Sequence, residues 1–220
     1  MILVGLVALV WPAAPAGAGG AFGPLTPCTD GSYHFYDAKW TGPMRWWFRA
    51  PSTPRGMSRS AAETAFRRAA SNIVDGRNSC GLHPHISAAA RFMGRTRRHT
   101  DVTGSSTCGR PDGKSVVGFG WLASADLAIT CWWTVGGRTV EADIKLNKAA
   151  FRWIPEAGPG CVMRWSVAAV ATHEFGHAFG LGHVYGYTNS HLTMSPLVAP
   201  CQNSQQTLGL GDIRGLEKKY

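Results

Sequence analysis

Eleven consecutive residues from His173 to His183, HEFGHAFGLGH, constrain this chain more than any other segment. His173 and His177 stand one helical turn apart, so on an α-helix both imidazoles leave the same face and can reach a single metal ion. Glu174 is rotated off that pair. It is badly placed as a third ligand but well placed to reach a water on the metal. Gly180 lets the chain leave the helix in a backbone conformation that costs most other residues energy. The turn then returns His183 to the same ion. Three protein ligands leave one tetrahedral zinc position for water, which marks a catalytic rather than a structural site. The shorter HExxH core recurs by chance in unrelated helices, and Gly180 and His183 lift the stretch above coincidence. A structural zinc site would draw on cysteines and would have no use for Glu174.

The full pattern H-E-x-x-H-x-x-G-x-x-H resembles that of the metzincin zinc endopeptidases. Those enzymes carry a methionine turn after the third histidine, and Leu192-Thr193-Met194-Ser195-Pro196 looks like it. By that resemblance, Met194 forms an apolar floor beneath the zinc ligands. Read alone, it is a core methionine filling a gap. Within the clan the chain is most similar to the matrixins and their bacterial secreted relatives. The tail LGLGDIRGLEKKY is similar to their Asp-containing terminal helix, and EADIKLN from Glu141 to Asn147 resembles the central strand before the active-site helix. The similarity spans Met44 to Tyr220. One departure is Val184 after His183, where vertebrate matrixins usually carry serine.

The resemblance implies an α+β fold: a metzincin-like catalytic domain with a twisted mixed sheet, an active-site zinc helix and a C-terminal helix. It implies a secreted zinc-dependent metalloendopeptidase acting on protein or peptide substrates. Zn2+ would be held by His173, His177 and His183, with Glu174 as general base toward the attacking water. Structural calcium is a further expectation with no residues assigned. In related enzymes an extended substrate pairs with an edge strand above the cleft, and Gly118 to Leu122 is the candidate strand. Residues 184–199, with Tyr185, Tyr187 and Leu197, should shape the adjoining pocket. Two other classes of function stay open. One is a zinc-binding protein that has lost catalysis, against which the retained Glu174 argues. The other is a cell-wall amide hydrolase using the same zinc chemistry, which the basic charge favours.

At 220 residues and 45% hydrophobic, the chain can bury one sizeable core. Residues 1–18, MILVGLVALVWPAAPAGA, read as a signal peptide ending in the A-x-A pattern Ala16-Gly17-Ala18. Pro12 and Pro15 stop its apolar run well short of the ~20 residues that span a bilayer, so no membrane span is expected. Residues 19–43, rich in Gly, Pro and Thr, form an N-terminal arm, and 44–220 the catalytic domain. Six cysteines follow the leader, an even number that implies disulfides in a secreted chain. Their spacing alone does not choose a connectivity. Cys161 and Cys201 bracket the zinc helix and methionine turn and are expected to pair, with Cys108–Cys131 and Cys28–Cys80 following.

Cys108-Gly109-Arg110-Pro111-Asp112 is similar to the inhibitory cysteine motif of matrixin pro-segments. A strand and a helix of the catalytic domain already precede it, however, so a disulfide on a surface loop is expected instead. The net charge is +9, with its densest run at Arg91, Arg95, Arg97 and Arg98. Such a surface favours anionic cell-wall polymers or acidic proteins, and its plain reading is a solvated basic loop. No nucleic-acid motif accompanies it, so no nucleic acid is expected as partner. A monomer is expected. His83-Pro84-His85 is a weak second candidate for a metal.

Met44 to Arg49 reads as a strand. Ser60-Ala61-Ala62-Glu63 is a capping box that opens a helix burying Ala62, Ala65, Phe66, Ala69, Ala70 and Ile73, and ending near Asp75-Gly76. Further strands are expected over Ile86 to Met93, Ser115 to Leu122 and Leu127 to Val135, with a hairpin turn at Gly136-Gly137. After it Val140, Ala142, Ile144 and Leu146 alternate with Glu141, Asp143, Lys145 and Asn147, an apolar face against a polar one. The zinc helix should start near Trp165-Ser166 and bury Ala168, Ala171, Phe175, Ala178 and Phe179. Gly176 within that helix costs about 1 kcal/mol relative to alanine and implies a neighbouring backbone in close approach.

Overall fold

The computed structural model of the protein describes residues 2–8 (backbone), 25–123 and 125–220. The expected cleavage pattern at Ala16-Gly17-Ala18 and the start of the arm lie outside the described residues. The elements are β1 (Ile2–Ala8), β2 (His34–Phe35), β3 (Met44–Arg49), α1 (Arg59–Val74), β4 (Ala90–Thr96), β5 (Ser115–Gly120), β6 (Ala128–Val135) and β7 (Arg138–Asn147). They continue with β8 (Trp153–Ile154), β9 (Trp165–Ser166), α2 (Val167–Ala178), β10 (Leu181–Gly182) and α3 (Leu210–Lys219).

The main sheet runs β1-β6-β7-β5-β3-β4. β3 is parallel to β4 and β5, and β5 to β7, while β6 is antiparallel to β7 and to β1. This is the mixed sheet of the expected α+β fold. Helices α1 and α2 cover one face. Trp46 and Phe48 on β3 meet Phe175 and Phe66 edge-on or tilted, at 5.4 and 5.5 Å between centroids. The helices sit there because the predicted apolar face of α1, from Ala62 to Ile73, is buried as a unit.

Several local expectations shift for identifiable reasons. Helix α1 begins before Ser60: Ser58 is its cap, accepting from the Ala61 N–H at 3.0 Å. β4 begins at Ala90, where its ladder with β3 opens at Met44. The stretch before it serves another purpose, because the His85 N–H donates to Glu217 Oε1 at 2.9 Å and the Ser87 hydroxyl donates to the Tyr220 carbonyl. β5 lies between β3 and β7: Gly118 to Gly120 pair with Lys145 to Asn147 of β7, and on the other side the Phe119 N–H donates to Ser52 Oγ at 2.9 Å, so the candidate substrate strand is an interior strand of the sheet. The strand that reaches the zinc-motif helix is β6, through Thr130 and Glu174. All three expected disulfides form, Cys28–Cys80, Cys108–Cys131 and Cys161–Cys201, so Cys108 has no free thiol.

The polar face of β7 does not meet solvent. Glu141 and Asp143 are fully buried beneath the loop 101–114, which Cys108–Cys131 pins to β6. Their carboxylates are acceptors for the backbone of that loop and of the start of β5. Val116 N–H donates to Asp143 Oδ1 at 2.6 Å, Asp101 N–H to Oδ2, and Asp112 and Gly113 N–H to the two oxygens of Glu141. Each buried donor thereby finds a partner, which unpaired would cost ~1–3 kcal/mol.

Burial, with Asp101 alongside, pushes Glu141 up to about 7 and raises Asp143 too. A carboxyl raised in the fold binds its proton more tightly there than in the open chain. Its contribution is therefore full below the unfolded value near 4.5 and is lost as pH rises through about 7. Glu141→Gln should flatten the dependence of melting temperature on pH across that window relative to wild type. Parallel thermal melts from pH 4.5 to 8 would check it, and identical slopes would contradict the assignment.

Candidate metal centre

Ser166 caps α2 by accepting the Ala169 N–H at 3.2 Å, and every residue of the helix is buried. The helix therefore presents His173 and His177 in the interior, and the chain must turn to bring in a third group. Gly180 makes that turn at φ +85°, and its missing side chain leaves room for the Ala38 carbonyl. His183 follows directly after β10.

The three Nε2 atoms converge: His183 Nε2 lies 3.1 Å from those of His173 and His177. Their other nitrogens decide the tautomers. His173 Nδ1 stands 2.7 Å from the Thr193 carbonyl and His177 Nδ1 2.8 Å from the Leu181 carbonyl. A carbonyl only accepts, so both Nδ1 atoms carry the proton and both Nε2 atoms present lone pairs. His183 Nδ1 faces the Tyr185 hydroxyl at 3.3 Å. Converging lone pairs repel one another unless a cation lies between them. Tetrahedral zinc with Zn–N near 2.0–2.1 Å would set its nitrogens about 3.3 Å apart, close to the spacing seen. The three histidines could thus hold one metal ion.

Burial pulls all three imidazoles down, His183 to about 4 and His173 and His177 well below their usual value, with the neighbouring rings adding to the effect on those two. All three are neutral near pH 7, the state in which imidazole ligates. Glu174 is fully buried beside them. Desolvation pushes its carboxyl up to about 8 against the Thr130 hydrogen bond, and Asp126 adds to the rise. A dication nearby would favour the carboxylate. Met194 is buried with its sulfur against Gly176, where any Cβ would collide with it. The close approach that Gly176 permits is therefore a side chain, not the backbone expected from the sequence.

The matrixin family model matches residues 21–220. The chain belongs to the matrixin family. It is accordingly a zinc metalloendopeptidase of the metzincin type, with a peptidase's protein substrates. A comparison with curated proteins gave no match.

The matrixin's candidate metal centre rests on residues that the motif does not contain. Asp212, in the first turn of α3, accepts from Thr193 N–H at 3.0 Å, Met194 N–H at 3.2 Å and Gly209 N–H at 2.8 Å. Burial raises its carboxyl to about 6 against those donors. Asp212 thus fixes the same Thr193 whose carbonyl receives His173. Gln205 is buried and donates to the Leu192, Ser195 and Leu197 carbonyls, holding the wall after the turn. Tyr36 stacks on Trp132 at 5.4 Å and lies 5.6 Å from the His177 ring.

Among these, only Asp212 had a sequence signal, through the similarity of the tail. Thr130 could have been noticed as a hydroxyl in the apolar run AITCWW. Gln205 and Tyr36 had no signal at all. Of the expected pocket residues, Tyr185 and Tyr187 are exposed and Leu197 is half-buried. His83 and His85 join no metal-capable group among the described residues.

Asp212→Asn would turn an N–H2 toward backbone donors. It should cost about 1–3 kcal/mol of stability and, through Thr193 and His173, weaken zinc affinity by ~10–100-fold. Chemical denaturation and chelator competition would measure the two effects, and unchanged zinc affinity would disconnect α3 from the metal centre.

Proposed function

We propose that this matrixin is a secreted endopeptidase in which His173, His177 and His183 hold the catalytic zinc, Glu174 is the general base and Met194 forms the apolar floor. The observation that carries the reading is the convergence of three Nε2 atoms, two of them presenting lone pairs fixed by Nδ1–H bonds to carbonyls, beside a buried carboxylate with one unpartnered oxygen. When bound, zinc lowers the pKa of a water and polarises the scissile carbonyl. Glu174 accepts the water proton as the water attacks that carbonyl, and returns it to the leaving amine. His173 and His177 keep their orientation throughout, because their Nδ1 protons are given to backbone carbonyls. A zinc protein without catalysis would have no reason to bury Glu174 at the cost of desolvating it.

Secretion is supported by the leader sequence and by three disulfides. No described helix is long and apolar enough to cross a membrane. The reading includes a leader at 1–18, an arm at 19–43 and a catalytic domain at 44–220. The leader has a second consequence. β1 pairs along β6 from Ile129 to Val135 and covers its outer edge. Removal of residues 1–18 would leave that edge free for an extended substrate segment, by the strand-addition mode. On the basic surface, Arg95 and Arg98 pair with Glu63 and Asp112, while Arg91 and Arg97 have no carboxylate partner among the described residues. That surplus favours a secondary association with anionic cell-wall polymers.

Glu174→Gln should keep zinc and lose ~10²–10⁴-fold in kcat, because an amide cannot take the proton. His177→Ala should lose metal and activity together. Metal analysis with peptide-cleavage assays separates the two, and near-wild-type turnover in Glu174→Gln would remove Glu174 as the base.

A chain beginning at Gly19 should cleave peptides faster than one retaining residues 1–18, with the difference in KM. Equal KM values would mean that β6 is not the substrate strand.

A further inference from the structure

β6 crosses α2 at Thr130, and the contact there is between a hydroxyl and the proposed base. Thr130 Oγ1 lies 2.5 Å from Glu174 Oε2 and 3.3 Å from the Glu174 main-chain carbonyl. Both neighbours are acceptors when Glu174 is ionised, so the hydroxyl must be the donor. It has one proton, and the shorter contact takes it. Glu174 is fully buried, so bulk solvent does not satisfy its carboxylate. Its Oε1 has no hydrogen-bond partner. The carboxylate is thus unsymmetrical, with one oxygen engaged by a strand residue and the other left free.

We propose that Thr130 is a positioning residue, whose hydroxyl pins Glu174 Oε2 so that Oε1 is the oxygen presented for proton transfer. The inference rests on Glu174 being the base. A charge-assisted O–H···O⁻ bond is among the stronger side-chain hydrogen bonds, and it restrains the terminal torsion that would otherwise exchange the two oxygens. Thr130 does this from the sheet, on an element separate from the zinc helix. Helix and sheet must therefore be in register before the base is correctly aimed. A threonine methyl also fills the volume beside the hydroxyl, so the hydrogen bond can be removed without leaving a cavity.

The test compares Thr130→Val, Thr130→Ser and Glu174→Gln, alone and with Thr130→Val combined with Glu174→Gln. Each is followed by peptide cleavage, by zinc affinity from chelator competition, and by binding of acetohydroxamic acid, which must give up a proton to a base as it chelates zinc. Thr130→Val should lower kcat by roughly ten- to a hundred-fold, part of the ~10²–10⁴ that a base supplies, with KM and zinc affinity unchanged. Its hydroxamate affinity should fall in parallel. Thr130→Ser should restore most of both, and Thr130→Val should have no further effect once Glu174 is Gln.

Thr130→Val turnover within about twofold of wild type, with Glu174→Gln inactive, would overturn the positioning role and leave the base intact. Equal impairment in Thr130→Ser and Thr130→Val would overturn it too, by pointing to packing. If Thr130→Val proves too unstable to assay, the serine variant alone decides, because loss of turnover there refutes a role for the hydroxyl. An active Glu174→Gln would overturn the base and the positioning role together.

Discussion

Three imidazoles cannot share a dry interior as mutual neighbours unless each has somewhere to place its proton and a reason to aim its lone pair inward. In this matrixin, two carbonyls, those of Thr193 and Leu181, take the Nδ1 protons of His173 and His177. Burial keeps the rings neutral, and a cation is what their Nε2 atoms can accommodate. Much of the surrounding architecture follows from fixing those carbonyls. Leu181 belongs to the turn that Gly180 makes possible, and Thr193 to the methionine turn that Asp212 grips from α3. The C-terminal helix thereby supports the proposed metal centre although it contributes none of its candidate ligands.

Buried carboxylates are used repeatedly for this kind of fixing. Asp212 gathers three backbone N–H groups around the methionine turn. Glu141 and Asp143 gather three from the loop 101–114 and one from β5, on the opposite face of the sheet. In each case irregular backbone is ordered by an acceptor supplied from a regular element. An irregular segment has donors that no ladder satisfies, and a carboxylate can accept several at once. The desolvation of these acids is offset by the donors, and it appears as raised carboxyl pKa values.

The N-terminal segment is drawn into the same region. His34 and Phe35 pair with Gly182 and Leu181 between the second and third histidines, and Tyr36 lies against His177. Cys28–Cys80 ties the segment to the loop that follows α1. Its Gly- and Pro-rich composition suits this role, since beyond the two-residue β2 its described residues follow the contours of other elements.

What the sequence by itself determined is what local covalent order controls. Residues four apart on a helix share a face whatever surrounds them, so His173 and His177 were legible, as were the helix start near Ser166 and the turn at Gly180. The strand Met44–Arg49 and the buried face of α1 were legible for the same reason, as periodic patterns within one element. The family pattern added His183, Met194 and the α+β fold. Tertiary structure alone decided which polar residues lie inside. Glu141 and Asp143 read as an outward polar face until the loop 101–114 covered them, and β5 read as an edge until β3 and β7 paired on both sides of it. Thr130 is forty-four positions from Glu174, and Tyr36 is farther still from His177, while Gln205 and the sulfur beside Gly176 touch segments other than their own. A hydrogen bond or a packing contact between distant segments leaves no periodicity in either one, because it depends on how the elements cross and not on the order of residues within them.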